Sequence, residues 1–167
     1  MNRIAAILFS MFLFAGCINE DAPYGDVKVG DRLPAFEVIM NDGTVVTDGS
    51  LMGKVSVVMF FHTSCPDCRQ ALPRVQEIYD EYVQKDVLFA LIGRECTEDE
   101  IRVHWEENSL DMPYSAQNDR SVYNLFASSR IPRIYISDEN GTVRYIFTDD
   151  PVATVEDLRS SLDILIR

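Results

Sequence analysis

Apolar residues follow two different periods along this chain. Continuous apolar runs at 55–61 and 87–93 are typical of strands that a sheet buries on both faces. Elsewhere apolar residues recur every three or four positions, a spacing that predicts amphipathic helices. A looser alternation at 36–47 surrounds Asn41-Asp42-Gly43, which indicates a β-hairpin. The predicted elements are this hairpin, strands at 55–61, 87–93, 134–137 and 142–148, and helices at 66–85, 97–108, 119–126 and 154–165.

The order of these elements predicts the fold class. Strands and helices alternate in the middle of the chain, and two strands followed by a helix close it. Because a strand and the next parallel strand must be joined across a face of the sheet, this order places helices on both faces. We therefore predict an α/β domain with a mixed central sheet. The capping box Thr97–Glu100 marks the start of one of its helices.

The first residues differ from the rest of the chain. Arg3 precedes the apolar run Ile4 to Phe14, and the small residues Ala15 and Gly16 follow it. This pattern predicts a signal peptide over residues 1–16. The segment from Phe14 to Cys17 also resembles a bacterial lipobox, which implies that Cys17 becomes a lipid-modified N-terminus. An ordinary secretory signal, in which Cys17 has no role, is the alternative.

The rest of the chain is predicted to be a tether over 17–31 and one folded domain over 32–167. Either kind of signal predicts a location outside the cytoplasm, and lipidation predicts an anchor on the periplasmic side of a bacterial membrane or at the cell surface. With 27 acidic and 15 basic residues, the chain has a net charge of −12. That charge disfavours nucleic acid and anionic lipid as partners. We expect a monomer.

The reactive motif is Cys65-Pro66-Asp67-Cys68, the CPDC motif, which directly follows the apolar run 55–61. A helix that begins here directs its unpaired N–H groups and its dipole at Cys65, and both favour the thiolate. The thiolate is the nucleophile in thiol–disulfide exchange, and Cys68, one turn later, is the candidate resolving thiol. A disulfide across this spacing closes almost no loop and adds little stability. The pair is therefore predicted to be redox-active.

Three neighbours are predicted to tune this pair. Pro66 restrains the turn at the first helical position. Asp67 places a negative charge beside the thiolate, which makes the dithiol a better reductant. The alternative is that Asp67 is only a favourable residue for the first turn of a helix. His62 is a candidate for proton transfer near Cys65, or else an ordinary packed or solvated histidine at a strand end.

The chain resembles the thioredoxin fold, and in particular the membrane-tethered TlpA/ResA-like thiol–disulfide oxidoreductases. The resemblance covers about residues 27–165. It rests on the CPDC motif between a strand and a helix, on Pro73 within that helix, on Arg130-Ile131-Pro132-Arg133 before a strand, and on the extra segment from Cys96 to Gln117. It implies a three-layer fold with an N-terminal β-hairpin extension and a helical insertion at 96–117.

The resemblance also implies how the site works. Pro132 is expected to form a cis peptide bond, and Ile131 to offer its N–H and C=O groups to an extended client strand. No dissociable cofactor is implied, because the Cys65–Cys68 disulfide is itself the redox group. The implied partners are client proteins with disulfides or thiols, and a membrane thiol carrier that supplies electrons. Cytochrome c maturation or general thiol maintenance is the implied process.

The sequence departs from the family at three positions. Ser64 stands where a tryptophan is usual, and Met59 stands where thioredoxin has a buried acid that helps proton transfer at the second cysteine. Cys96 is an additional thiol, either redox-active or a small buried hydrophobic residue. A metal site is not predicted, because His62, His104 and Cys96 lack the spacing of a second zinc-ligand pair.

Other functions of this fold remain alternatives. A peroxiredoxin-like peroxidase is disfavoured because those enzymes place Thr or Ser three residues before the reactive cysteine, where this chain has His62. A copper carrier of the Sco type is disfavoured because such carriers have three residues between their cysteines. A module that kept the fold but lost catalysis is favoured only by the missing acid at Met59.

Overall fold

The computed structural model describes residues 26–166. The predicted signal peptide, Cys17 and residues 17–25 of the predicted tether lie outside the described residues. Within 26–166, no helix is both long enough and apolar enough to cross a membrane.

The chain forms seven strands and four α-helices in an alternating order within this described part. The strands are β1 (Glu37–Ile39), β2 (Val45–Thr47), β3 (Ser56–Phe61), β4 (Leu88–Arg94), β5 (Tyr114–Gln117), β6 (Arg133–Ser137) and β7 (Val143–Phe147). The helices are α1 (Pro66–Tyr82), α2 (Glu98–Asn108), α3 (Ser121–Phe126) and α4 (Val155–Leu165).

Five of these strands form the central sheet, in the order β5-β4-β3-β6-β7. β3, β4 and β5 run parallel, whereas β6 is antiparallel to both β3 and β7. The sheet is therefore mixed, as predicted. β1 and β2 form a separate antiparallel hairpin, which confirms the N-terminal hairpin extension.

The packing of strand β3 shows why its sequence is almost entirely apolar. Met59 and Phe61 pack into a cluster that includes buried residues of α1, α2 and α4. Val58 and Phe60 pack on the opposite face, against residues of α3 and the hairpin. A strand covered on both faces favours apolar side chains, and its one polar residue, Ser56, is buried and hydrogen-bonded to the Ser137 hydroxyl at 2.6 Å. This arrangement confirms the three-layer fold, with β3 at its centre.

The predicted helical insertion at 96–117 differs from expectation. Its first part is α2, whose capping box is formed as predicted, because Thr97 and Glu100 bond to each other's backbone N–H groups. Its last four residues form β5, an edge strand parallel to β4. Their side chains alternate between apolar and polar, but only over four residues, the lower limit at which alternation indicates a strand. Pairing with β4 supplies backbone hydrogen bonds that the sequence pattern does not show.

The folded domain begins earlier than the predicted boundary at residue 31. Val27 is buried, and its N–H donates to the Phe126 carbonyl oxygen at 2.8 Å. The Asp26 carboxylate accepts hydrogen bonds from Arg133 Nη1 at 3.0 Å and from the Ser128 N–H at 2.8 Å. Because these partners lie about a hundred residues further along the chain, residues 26–31 belong to the domain and not to a tether.

Candidate active site

The sulfur of Cys65 lies at the junction of three structural elements. β3 ends at Phe61, and Cys65 follows as the extended N-cap residue of α1. Its Sγ accepts a hydrogen bond from the Cys68 N–H at 3.4 Å. The Cys65 thiol also donates to the Ile131 carbonyl oxygen at 3.6 Å. Since the side chain is only partly buried, this sulfur is accessible to a partner while it touches the first turn of the helix.

Cys68 has a different environment, although only two residues separate it from Cys65. Its side chain is fully buried in the cluster that also contains Met59 and Leu72. Burial raises the pKa of the Cys68 thiol, and the hydrogen bond with Cys65 acts in the same direction. Both cysteines are free thiols in this structure. The pair is therefore asymmetric, with one accessible sulfur and one protected, protonated sulfur.

A loop before β6 covers the other side of Cys65. The Ile131–Pro132 peptide bond is cis. Pairing between Phe60 and Arg133 holds this loop beside the end of β3. The Tyr123 hydroxyl donates to the Arg130 carbonyl oxygen at 2.7 Å and supports the loop from α3. A second cis bond, which the sequence analysis did not predict, joins Asp150 and Pro151.

Pro66 and Asp67 form the exposed first turn of α1. Pro66 is the first residue of α1, where a missing N–H removes no helical hydrogen bond. Asp67 stands in the first turn, where a carboxylate also interacts favourably with the helix dipole. The placement of both residues matches the sequence analysis, and their tuning of the thiol pair stays a prediction.

The structure brings Cys65, Cys68, Ile131 and Pro132 together, whereas His62 makes a different contact. Its ring Nδ1 accepts a hydrogen bond from the Ser64 N–H at 3.0 Å and lies 2.9 Å from the Ser64 hydroxyl. Among the described residues, no hydrogen bond joins this ring to either thiol of the CPDC motif. The proposed role of His62 in proton transfer stays a prediction.

Two further positions that the sequence analysis singled out are buried beneath the site. Met59 is fully buried in the same cluster as Cys68, so the place of the family's acid is apolar here. Cys96 is also fully buried, and its thiol lies 3.7 Å from the Arg94 carbonyl oxygen. Burial raises the pKa of the Cys96 thiol. Both properties match a small buried hydrophobic residue.

A groove beside the CPDC motif was not predicted from the sequence. We call it the α2 groove, and its volume is about 390 Å³. One wall comes from the residues that flank the motif and the other from one face of α2. Its lining residues are Thr63, Arg69, Asp99, Glu100, Val103, His104 and Glu107. The spacing of the α2 members is helical, but the sequence alone does not show which element this face meets.

Residues 26–166 contain no group of three or more His, Cys, Asp and Glu side chains arranged to hold a metal ion.

Comparison with known proteins places this geometry in a family. The family model described as Redoxin matches residues 28–162. The chain belongs to the Redoxin family. The thiol-disulfide oxidoreductase ResA of Oceanobacillus iheyensis is 26% identical over 149 residues, which cover 87% of this chain and 78% of that protein. The thiol-disulfide oxidoreductase YkuV of Bacillus subtilis is 26% identical over 106 residues, or 60% of this chain and 71% of that protein.

Solved structures share the fold of this Redoxin-family chain. The thioredoxin domain of a thiol-disulfide oxidoreductase from Bacteroides vulgatus has a TM-score of 0.73 at 19% identity, and the match covers 85% of this chain and all of that domain. A thioredoxin-family thiol:disulfide interchange protein from Chlorobium tepidum has a TM-score of 0.71 at 19% identity, covering 86% of this chain and all of that one. The chain is a TlpA/ResA-like thioredoxin-fold protein of the thiol–disulfide oxidoreductase class, as predicted.

Proposed function

We propose that this protein reduces disulfide bonds of client proteins outside the cytoplasm, with Cys65 as the nucleophile and Cys68 as the resolving thiol. The observation that carries the proposal is the asymmetry of the two sulfurs. Cys65 is accessible and its sulfur accepts the Cys68 N–H at the start of α1. Cys68 is fully buried, so a client disulfide meets Cys65 first.

The proposed exchange has two steps. The Cys65 thiolate attacks one sulfur of the client disulfide, a mixed disulfide forms, and the client's other sulfur leaves as a thiolate. Cys68 then loses its proton and attacks the Cys65 sulfur, which closes the Cys65–Cys68 disulfide and releases the second client thiol. Two electrons pass from the protein to the client. The Cys65–Cys68 pair serves as the redox group without a dissociable cofactor.

In this proposal the client lies along the loop before β6. Ile131 borders the sulfur of Cys65, since its carbonyl oxygen is 3.6 Å away. An extended client segment that pairs with the backbone of Ile131, next to Pro132, presents its disulfide to Cys65 as an added strand. The nucleophile and the client bond are then oriented before reaction, which lowers the entropic part of the barrier.

The direction of electron flow and the location are parts of the same proposal. Asp67, in the first turn of α1, opposes the thiolate of Cys65 and so favours a reducing pair. A membrane thiol carrier restores the dithiol after each cycle. Lipid attachment at Cys17 holds the protein at the outer side of a bacterial membrane, where that carrier and the clients meet it.

The reduction potential of the Cys65/Cys68 pair tests the direction. We would equilibrate the protein in graded thiol–disulfide buffers and quantify the free thiols by alkylation and mass spectrometry. A single two-electron couple near or below about −270 mV, the thioredoxin value, supports a reductant. A couple near about −120 mV makes the protein an oxidant and reverses the proposed role of Asp67. Absence of any exchangeable couple overturns the activity itself.

Trapping tests the separate roles of the cysteines. Cys68→Ala is expected to accumulate a mixed disulfide between Cys65 and a client peptide, because the resolving thiol is gone. Cys65→Ala should form none, since Cys68 is buried. Cys96→Ala is the matched control and should turn over as the unmodified protein does. Trapping through Cys68 in the Cys65→Ala variant would contradict the assignment.

A further inference from the structure

We propose that the α2 groove binds the part of the client that flanks its reacting cysteine, and that it selects segments carrying a basic side chain. The inference rests on the proposed function and adds to it the chemistry of the client. The groove starts at the reactive motif itself, because Thr63 lies two residues before Cys65 and Arg69 directly follows Cys68. A client held at Cys65 therefore has neighbouring residues beside this groove.

The wall nearest the motif is fixed in place. The Arg69 Nε–H donates to the Thr63 carbonyl oxygen at 2.7 Å, and this bond ties the start of α1 to the loop after β3. Thr63 itself is buried. An extended segment advances by about 3.3 Å per residue, so the groove is in reach of residues close to the client cysteine.

His104 gives the opposite wall a hydrogen-bond donor. The residue is only 9% exposed, and burial lowers its pKa, so the ring is neutral at pH 7. The Asn108 side-chain amide donates to the His104 carbonyl oxygen at 2.8 Å, and the same nitrogen lies 3.2 Å from the ring Nδ1. Since that nitrogen is a donor, Nδ1 accepts, and the ring proton is on Nε2.

This Nε2–H has no hydrogen-bond partner among residues 26–166, although His104 lines the groove. This donor stays open to solvent at the groove surface, so an acceptor from outside the chain can replace water there. A backbone carbonyl group of a client segment supplies one. Val103, the neighbouring lining residue, is an exposed hydrophobic side chain that an apolar client residue can cover.

The charges of the groove determine which segment fits. Three carboxylates of α2 line it, from Asp99, Glu100 and Glu107, against the single guanidinium of Arg69. Asp99 is paired with Arg102, and Glu100 is bonded within its capping box. Glu107 forms no ion pair within the described part of the chain and is exposed. A Lys or Arg side chain of a client complements this wall, whereas an acidic one is repelled.

The test compares two client peptides in the wild-type protein. Each contains a disulfide, and they differ only by Lys or Glu two residues from the attacked cysteine. We expect the Lys peptide to be reduced with a kcat/KM about threefold higher, a preference that rising salt removes. Glu107→Lys should abolish or reverse the preference. Glu106→Lys, the same change on the same helix outside the groove, should preserve it.

Two variants test the His104 donor. His104→Phe removes Nε2–H while keeping a ring, and is expected to raise KM for both peptides with kcat little changed. His104→Gln keeps an N–H donor and should restore part of the affinity. A small symmetric disulfide such as hydroxyethyl disulfide does not extend into the groove, and Glu106→Lys, which lies outside the groove, should reduce it at the wild-type rate.

The outcomes separate this inference from the proposed function. If neither peptide nor the small disulfide is reduced, the proposed function fails. The affinity of the reduced peptides for Cys65→Ala, measured by calorimetry, then tests the groove alone. If the Lys and Glu peptides are reduced with equal kcat/KM and bind with equal affinity, the groove assignment is wrong, although the oxidoreductase activity is retained. Identical responses to the substitutions at 106 and 107 overturn it as well.

Discussion

The sulfur of Cys65 and the carbonyl oxygen of Ile131 are 3.6 Å apart, although 66 residues separate them in the chain. The contact joins the start of α1 to the loop before β6, so the nucleophile and the proposed client-binding backbone form one unit. Enzymes gain rate when reacting groups are held in position before reaction. Residues that support this loop are therefore expected to affect turnover as well as stability.

Tyr123→Phe tests that expectation. The Tyr123 hydroxyl donates to the Arg130 carbonyl oxygen at 2.7 Å, and the side chain is buried. Removing the bond leaves that carbonyl without its donor, so the free energy of unfolding should fall by about 1 kcal/mol. We also expect a lower kcat/KM for client disulfides, because the loop next to Cys65 is less firmly held.

Tyr135→Phe is the control for this prediction. Its hydroxyl donates to the Phe126 carbonyl oxygen at 3.1 Å, where α3 ends, and not to the residues Arg130 to Pro132 beside Cys65. Urea unfolding should give a similar loss of stability, about 1 kcal/mol, with turnover unchanged. An equal loss of turnover in both variants would show that Tyr123 acts through global stability alone.

The reduced protein is expected to lose stability above pH 9. Burial raises the pKa of the Cys68 and Cys96 thiols above the ordinary value of 9.0. Between that value and the folded pKa, the unfolded chain binds fewer protons than the folded one. The stabilisation is therefore complete below pH 9 and is lost as the pH rises, by up to about 1.4 kcal/mol per pH unit for each thiol.

Urea unfolding of the reduced protein between pH 7 and pH 10 measures this loss. In Cys68→Ala the free energy of unfolding should fall less steeply with pH above pH 9, because one of the two buried thiols is gone. Buried tyrosines such as Tyr123, whose pKa is raised from an ordinary value of 10.0, add to the loss only at higher pH. A slope that is unchanged in Cys68→Ala would contradict the raised pKa of this thiol.

Sequence reasoning succeeded where the signal was local. The apolar run 55–61 correctly predicted β3. The run is apolar because both faces of this strand are covered, with Met59 buried on one face and Phe60 on the other. The capping box of α2 was readable because both of its partners lie within four residues. The expected cis bond at Pro132 came from family resemblance and not from residue pattern.

Sequence reasoning failed where the cause is tertiary. β5 exists because β4 offers it an edge, and the start of the domain is set by Asp26, whose partner Arg133 is 107 residues away. The α2 groove depends on the rotation of α2 against the CPDC motif. Periodicity identifies the faces of a helix and leaves open what each face meets.

Asp26→Asn tests whether the domain begins at the N-terminal segment. The Arg133 side chain is only 10% exposed, and its Nη1 lies 3.0 Å from the Asp26 carboxylate. The substitution leaves a largely buried guanidinium without an opposing charge. Since Asp26 itself is partly exposed, we expect a loss of about 1–3 kcal/mol in the free energy of unfolding, below that of a fully buried pair. Chemical denaturation at pH 7 measures it.

Asp86→Asn is the matched control for Asp26→Asn. Asp86 pairs with Lys54 at 2.9 Å, but both side chains are exposed, at 85% and 43%. Solvent screens such a pair, so its loss should change stability by less than about 1 kcal/mol. Equal effects of the two substitutions would mean that residues 26–31 contribute no more than an ordinary surface contact.

Met59→Asp tests the missing acid directly. Met59 and Cys68 share one fully buried cluster, so an aspartate at this position adds a carboxyl group where the structure has none. An unpaired buried carboxyl should lower the free energy of unfolding by about 2–4 kcal/mol. As a base it can also accept the Cys68 proton, and general-base catalysis should speed resolution about tenfold or more.

The resolution step of Met59→Asp can be measured separately. Cys65 is first converted to a mixed disulfide with a coloured thiol such as thionitrobenzoate, and the rate at which Cys68 releases that thiol is then recorded. Met59→Asn is the control, because its side chain is as polar and nearly the same shape but carries no carboxylate. It should be destabilised without becoming faster. If both variants resolve at the wild-type rate, deprotonation of Cys68 does not limit the step, and the apolar residue at position 59 is no handicap to turnover. If only the aspartate variant is faster, deprotonation of the buried Cys68 thiol limits resolution in the wild-type protein, where only solvent accepts the proton.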